Sequence, residues 1–525
     1  MSGQSQPHYD IVIIGGALSG AATAILLLRE EPSLKVLIVE KSAVFGRRVG
    51  EATVEVSGYF LCRVLGLTQY LNEAHLVKQG MRFWFANSRT QSLPDCAEIG
   101  GMFLSKTAAF QVDRAALDEE VLARAQKAGA EVWRSASVKK VTLVAGADQE
   151  IEVRRQNESS TVTCRWVVDA SGCAALLARQ EGWLRPNTAH PTTAAWARWT
   201  GVKDWDSFEL AQKYPEWAMA CCGIRNTATN HIVGPGWWAW CIPLKGGDVS
   251  IGVVFDQRLV KWPEEGSLGQ RIKDFLMQHP AAREIMSDAH WRESDVHWRK
   301  NLPYYSTTFA GDGFVLIGDA AGFIDPFYSP GMDWISFTSF SAANLIRRQR
   351  KGEDTQMLVA KHNRDFSRSY HRWFEAIYQD KYEYMGEYDL MRVAFLLDVG
   401  LYYAGIVSQP FMRGASAYLV PPFSPPLSVP FYWLIRTYNR RLAKIARLRR
   451  LKGQLGRCNN GKQCLIPGFT FSKRAVFTVL KNLASWGLLE LREGWKTWFW
   501  SGKTQPVEKQ PVHLPAAAGH EAPIG

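Results

Sequence analysis

The segment from Tyr9 to Glu40 constrains the fold of this chain more than any other. Tyr9-Asp10-Ile11-Val12-Ile13-Ile14 is a buried-strand pattern that runs straight into Gly15-Gly16-Ala17-Leu18-Ser19-Gly20. The following AATAILLLRE favours a helix apolar enough to pack on a sheet. Lys35-Val36-Leu37-Ile38-Val39 then reads as a second strand, ending at Glu40, twenty residues beyond Gly20. Strand, glycine turn, helix and strand-end acid are the order of a dinucleotide-binding unit. The turn lets a diphosphate approach the backbone, the helix start offers unpaired N–H groups, and the carboxylate can accept both hydroxyls of a ribose. Gly15, Ala17 and Gly20 fill the three glycine positions, so the middle one has gained a methyl that pushes the diphosphate outward without excluding it.

A stretch far along the chain completes the same site. The apolar run 314–317 stops at Gly318-Asp319-Ala320-Ala321-Gly322, and a helix-compatible segment begins after Gly331. Between the two turns, Gln111-Val112-Asp113-Arg114 precedes a helix over 115–128 and a strand over 130–133. Arg165-Trp166-Val167-Val168-Asp169 is another strand, entering a tight turn at Gly172. The fold class that follows is α/β. The order of these segments is similar to that of the FAD-dependent monooxygenases of the p-hydroxybenzoate hydroxylase type, and this resemblance implies a Rossmann-like FAD unit over 1–185, with a cover segment interleaved at about 80–110, and again over 311–350. A β-sheet substrate cover would occupy 186–310, a helical basic region 351–503, and a disordered tail 504–525.

Composition bounds the function. At 525 residues and 46% hydrophobic, the chain is neither a disordered tail nor a small module. The apolar run 393–407 carries Asp398 and is too short to cross a membrane, and MSGQSQPHYD lacks the order of a signal peptide. The expected location is the cytoplasm. Nine cysteines without metal-ligand spacing read as free thiols. Twenty-one tryptophans point to aromatic-walled cavities, and a net charge of +12 to an acidic partner or surface.

These segments, in this order, resemble the FAD-dependent monooxygenases of the p-hydroxybenzoate hydroxylase type. The resemblance implies that Gly15, Gly16, Ala17, Gly20 and Glu40 hold FAD, that Asp319 meets its ribityl and diphosphate portion, and that Arg114 with Arg47 or Arg48 lies along it. Two motifs narrow the match: Trp238, Trp240, Ile242 and Pro243 spell WxWxIP, and Phe323, Pro326, Ser329 and Gly331 spell FxxPxxSxG. Both resemble the flavin-dependent halogenases, as does Gly50-Glu51-Ala52-Thr53, which implies that Glu51 and Thr53 lie near the flavin ring. Trp238 and Trp240, two apart on a strand, would share one face and wall a tunnel beside the flavin.

The same resemblance assigns chemistry. FADH2 delivered by a flavin reductase, together with O2 and halide, would generate hypohalous acid, with the halide cradled near Ser329 and Gly331. Lys78, heading a strand, would present the oxidant to an aromatic substrate. Two positions depart from the tryptophan-specific members. Tyr328 stands where they have glutamate, and Pro330 lacks the N–H that would complete the halide cradle. A phenol- or pyrrole-like substrate, free or bound to an acidic carrier protein, is therefore expected in place of free tryptophan. The alternatives are an FAD monooxygenase or oxidoreductase without halogenation, and a non-catalytic membrane or carrier adaptor.

Toward the C-terminus, residues 366–388 carry an aromatic stripe that reads as helix packing, and five prolines between Pro421 and Pro430 read as a hinge or extended crossover. Residues 431–452 form a basic helix without an acid, from Arg436 to Lys452. It would rest on an anionic membrane, dock an acidic carrier or stand solvated. Nucleic acid is not an expected partner.

Overall fold

The computed structural model describes residues 7–105, 107–156, 158–221, 224–467 and 473–499. The tail expected over 504–525 lies outside the described residues. The N-terminal strand His8–Ile14 sits in the middle of the first sheet, parallel to Val36–Val39 on one side and to Glu158–Asp169 on the other. Glu131–Trp133 extends the first side and Phe314–Leu316 the second, both parallel to their neighbours. The chain thus leaves the central strand toward both edges, which opens a crevice at the strand ends, where Gly15 meets Ala170. Leu18–Glu30 and Pro330–Arg350 pack together on this sheet.

The second sheet has eight strands, in the order His290–Lys300, Thr192–Thr200, Val249–Asp256, Trp237–Pro243, Thr229–Gly234, Met81–Phe85, Ala97–Gly101 and Gln463–Ile466. Its two faces alternate with period two. Trp238, Trp240 and Ile242 enter the core shared with the first sheet, whereas Trp237, Ala239 and Cys241 enter a separate core under the helices Leu268–Met277 and Pro280–Ile285. Gly252, opposite Trp240, leaves room for its ring, which a Cβ would approach to 2.4 Å.

The C-terminal region is stitched into this body. Gln463–Ile466 supplies an edge strand beside Ala97–Gly101, and the apolar helix Tyr388–Tyr402 packs on Lys473–Arg492. The helical run Tyr388–Leu419, 32 residues long with an 18-residue window at mean hydropathy 1.6, is long and apolar enough to cross a membrane, contrary to the expectation from 393–407 alone. However, 67% of its most apolar window is buried inside the protein, and Asp398 is held by the Lys381 ammonium and the Tyr438 hydroxyl.

The basic helix, Val429–Leu451, also differs from expectation. Arg449 is buried and ion-paired to Glu387, Asp389 and Glu493, Arg450 to Glu383, Arg447 to Asp380 and Glu383, and Arg441 to Glu490. The acids come from other segments, so a helix unbalanced in sequence is neutralised in space. Arg441, Arg447, Arg449 and Arg450, with Arg436 on Glu375, thus staple the helix to neighbouring segments, and Arg440 is left exposed. Removing one partner from a buried ion network strands the other charges, so Arg449→Met should cost about 3–5 kcal/mol of stability in urea unfolding. A loss below about 1 kcal/mol would show that the cluster is solvent-screened.

Candidate active site

The glycine turn has the geometry of a phosphate loop. Gly15 adopts φ +102°, and a Cβ there would lie 2.5 Å from the Ala170 carbonyl oxygen; one on Gly20 would lie 2.0 Å from the Gly15 oxygen. Only glycine lets helix and strand close at these two points. Ala17, at φ −69°, caps Leu18–Glu30 through its backbone alone, so its methyl is tolerated. Glu40 ends its strand with one carboxylate oxygen accepting the Gly16 N–H at 2.8 Å and the other the Ser42 N–H at 2.8 Å. It is thus fixed beside the turn, with lone pairs to spare.

A row of charges continues from there. Asp118 accepts the Leu18 N–H at 3.1 Å and pairs with Arg114 at 3.1 Å and Arg48 at 3.5 Å. Of the two candidate arginines, Arg48 therefore stands by the turn, while Arg47 reaches toward Asp248 and Asp295 on the second sheet. Asp319 follows Gly318, and burial raises its pKa against the opposing pull of Arg114 and Arg299. Tyr304 donates its hydroxyl to the Asp319 carbonyl at 2.9 Å. Backbone approach at Gly15, the fixed acid Glu40, and two guanidinium groups near Asp319 together fit the adenosine, diphosphate and ribityl parts of FAD.

Past Gly322 the chain turns through Tyr328 and Ser329, both at positive φ, into the 21-residue helix Pro330–Arg350. Pro330 is its first residue, where an N–H would lack a helical partner in any case. The N–H groups of Gly331 and Met332 are left without partners inside the helix. A Cβ on Gly331 would meet nothing within 4 Å, so open space lies over this helix start. Ser329 makes no side-chain cap to stand in for the missing Pro330 donor. The candidate halide cradle is therefore the Gly331–Met332 edge.

Beside it lies a cavity of about 510 Å³, walled by apolar side chains such as Phe337, Trp373, Ile377 and Phe395. Lys78 is not the head of a strand. It sits in the connection between Leu76–Val77 and Met81–Phe85, 2% exposed, donating from Nζ to the Thr53 carbonyl at 2.9 Å. Its neighbours Gln79 and Gly80, and Val54 and Glu55 beyond Thr53, line the cavity. Burial lowers the ammonium to about 8 despite the nearby carboxylates of Glu55 and Asp333. Thr53 bridges this segment to Phe110 through its N–H and its hydroxyl. Glu51 is buried against Arg198, which also binds Asp113, and its carboxyl is raised to about 7 by desolvation.

Asp333 is the residue that sequence reasoning missed. It lines the cavity at 1% exposure, accepting the Ser57 N–H and the Tyr402 hydroxyl, each at 2.9 Å. Burial raises it to about 7. Tyr403, alongside, donates to Glu55 at 2.6 Å. Tyr328 donates to Asp398 at 3.2 Å, within the buried group around Lys381, and so faces the cavity as a neutral wall. Trp238 is oriented by a relay in which its Nε1–H donates to Tyr382, whose hydroxyl donates to Asp325, which also meets His190. Trp240 donates to Ser250 at 3.1 Å. His231 stacks on Phe83 near Trp238, and burial, with Lys78 adding to it, lowers it to about 3, so it is a neutral part of the wall.

The turn geometry makes one expectation directly measurable. Gly20→Ala sets a methyl against the Gly15 oxygen and should abolish FAD binding in a fluorescence titration, whereas Ala17→Gly should retain it. Unchanged affinity in Gly20→Ala would refute the phosphate-loop assignment.

The sequence model described as "Tryptophan halogenase" matches residues 10–94 and 102–383. The flavin-dependent halogenase chlA of Dictyostelium discoideum is 28% identical over 368 residues, covering 63% of this chain and 58% of that protein, so the match spans less than two thirds of its length. A tryptophan 2-halogenase of Chondromyces crocatus is 28% identical over 380 residues, covering 69% of this chain and 66% of the other. Among solved structures, halogenase PltM in complex with phloroglucinol and FAD superposes with a TM-score of 0.72 at 19% identity, over 91% of this chain and 96% of that one. With its FAD-fitting turn, its two motifs and a family match over more than half its length, the chain belongs to the tryptophan halogenase family of FAD-dependent oxidoreductases.

Proposed function

We propose that this chain is an FAD-dependent halogenase acting on an aromatic substrate that carries a ring hydroxyl, with its FAD reduced by a separate flavin reductase. The observation that carries the reading is Asp333 lining an apolar cavity whose wall is continued by Gln79 and Gly80, next to the buried Lys78 ammonium that feels its charge, beside a helix start with unpaired N–H groups. FAD, when bound in reduced form, supplies the oxygen chemistry that turns halide into hypohalous acid. The remaining work falls to the protein's own groups. Lys78 spends one N–H on Thr53 and has two left for the oxygen of the oxidant. As the halogen passes to the ring, that oxygen leaves with the electrons of its bond to halogen. An ammonium held near 8 is well matched to protonate it to water.

At the other end, the Tyr402 hydroxyl donates to Asp333, so the Tyr402 oxygen can accept from a substrate hydroxyl and pass its proton on. Loss of that proton makes the ring electron-rich when the electrophile arrives. Loss of the ring hydrogen then restores aromaticity. The phloroglucinol bound to PltM, a phenol, supports this substrate class, and the neutral Tyr328 argues against an indole N–H handled by a carboxylate at that position.

Lys78→Met and Asp333→Asn should each retain FAD binding and each lose on the order of 10²-fold or more in halogenation turnover. Wild-type kcat/KM should follow a bell. Asp333 accepts a proton only when ionised, so activity falls as pH drops through about 7, and Lys78 donates only when protonated, so activity falls as pH rises through about 8. Asp333→Asn should erase the acid limb. Either variant turning over at the parent rate would remove that residue from the mechanism.

A further inference from the structure

The mouth of the cavity is made of exposed apolar side chains. Phe103, Leu104, Val420, Leu427 and Phe431 all line the cavity and are all exposed, Leu427 to 87%, and Met412 stands beside the cavity-lining Arg413 at 77% exposure. Apolar side chains gathered around an opening mark a surface that meets an apolar partner, since scattered ones would need no explanation. The segment that supplies most of them is unusual in charge. From Val399 to Leu489 there are fourteen lysines and arginines and no aspartate or glutamate. Ion pairs to other segments neutralise Arg436, Arg441, Arg447, Arg449, Arg450 and Arg457. Arg413 lines the mouth itself, and it is exposed and makes no ion pair among the described residues; Arg440, Lys452 and Lys462, elsewhere on the segment, are likewise exposed and unpaired.

We infer that this mouth docks on an anionic lipid bilayer. A bilayer interface offers an apolar layer for the rim and acidic headgroups for Arg413 and for the net charge of +12, and each kind of contact adds to the other. A second copy of this chain would offer the apolar rim but bring its own positive charge against the first. An acidic soluble protein would match the charge but leave Leu427 and Met412 in water. The contact is peripheral, because the apolar run Tyr388–Leu419 spends most of its hydrophobic surface inside the fold. The proline-rich stretch, read from sequence as a hinge or extended crossover, borders the mouth, with Pro421, Pro422 and Pro425 lining the cavity. A corollary, which rests on the halogenase reading, is that a lipophilic phenol enters the cavity from the bilayer without crossing water.

The test is flotation of the full-length, FAD-loaded protein with vesicles of phosphatidylcholine alone or of equal parts phosphatidylcholine and phosphatidylglycerol. The protein should float with the anionic vesicles, release at high salt, and bind phosphatidylcholine far more weakly. Met412→Glu combined with Leu427→Glu places two charges at exposed positions, leaving the fold and FAD content intact, and should reduce binding by about tenfold or more. Met412→Ser with Leu427→Ser should fall between this variant and the parent. The inference is overturned if the parent stays in solution with anionic vesicles or if the glutamate variant floats equally well. Light scattering that shows a dimer abolished by the same variant, or binding to a purified acyl carrier protein in the absence of vesicle binding, would overturn it too. None of these readouts depends on turnover, so they stand or fall separately from the halogenase reading.

Discussion

Taking an ammonium or a carboxylate out of water costs several kcal/mol unless the protein returns comparable contacts, and here both are buried at the same place. Lys78 recovers one hydrogen bond from Thr53, and Asp333 recovers two, from Ser57 and Tyr402. That partial return leaves each group away from its ordinary protonation range, the lysine lowered and the aspartate raised, both toward neutrality. The rest of the site follows from holding these two in place. Thr53 is tied to Phe110, Asp333 is anchored on the first turn of a long helix, and Tyr402 comes from the apolar helix that closes the cavity.

The layers of the molecule meet at this point. Strand Phe314–Leu316 of the first sheet leads into the turn that starts the helix, strand Trp237–Pro243 of the second sheet presents Trp238, and the C-terminal helices form the cavity roof. Each layer is fixed by a polar core of its own. The Trp238–Tyr382–Asp325–His190 relay ties the second sheet to the helical region, and the Lys381–Asp398–Tyr438–Asn439 group fixes Tyr328. Buried polar groups satisfied in this way specify one arrangement among several apolar packings of similar stability.

Much of the scaffold was legible because local pattern dictated it. The glycines at 15 and 20 are required by a close strand–helix approach, and the Trp238/Trp240 face follows from the two-residue period of a strand. Asp333 was not legible, because an acid in the first turn of a helix usually means no more than a favourable interaction with the helix dipole. Its role depends on Ser57 and on Tyr402, 276 and 69 residues away. The basic helix misled for a related reason, since the acids that neutralise Arg449 lie 62, 60 and 44 residues away. Arg47 and Arg48 were adjacent and indistinguishable in sequence, and the fold aims Arg47 at Asp248 and Asp295 beside the second sheet and Arg48 at Asp118 on the helix Arg114–Lys127.

The proposed reaction requires that oxidising power delivered at the flavin end emerge in the cavity as halogen on a hydroxylated ring. Mass spectrometry of reactions containing the holoenzyme, a flavin reductase, NADH, oxygen and a panel of simple phenols, with bromide or without any halide, tests it directly. The expected result is a brominated product, recognised by the paired isotope peaks of bromine, that disappears when bromide is withheld and in Lys78→Met. A product that gains only oxygen, in the same amount with and without bromide, would contradict it.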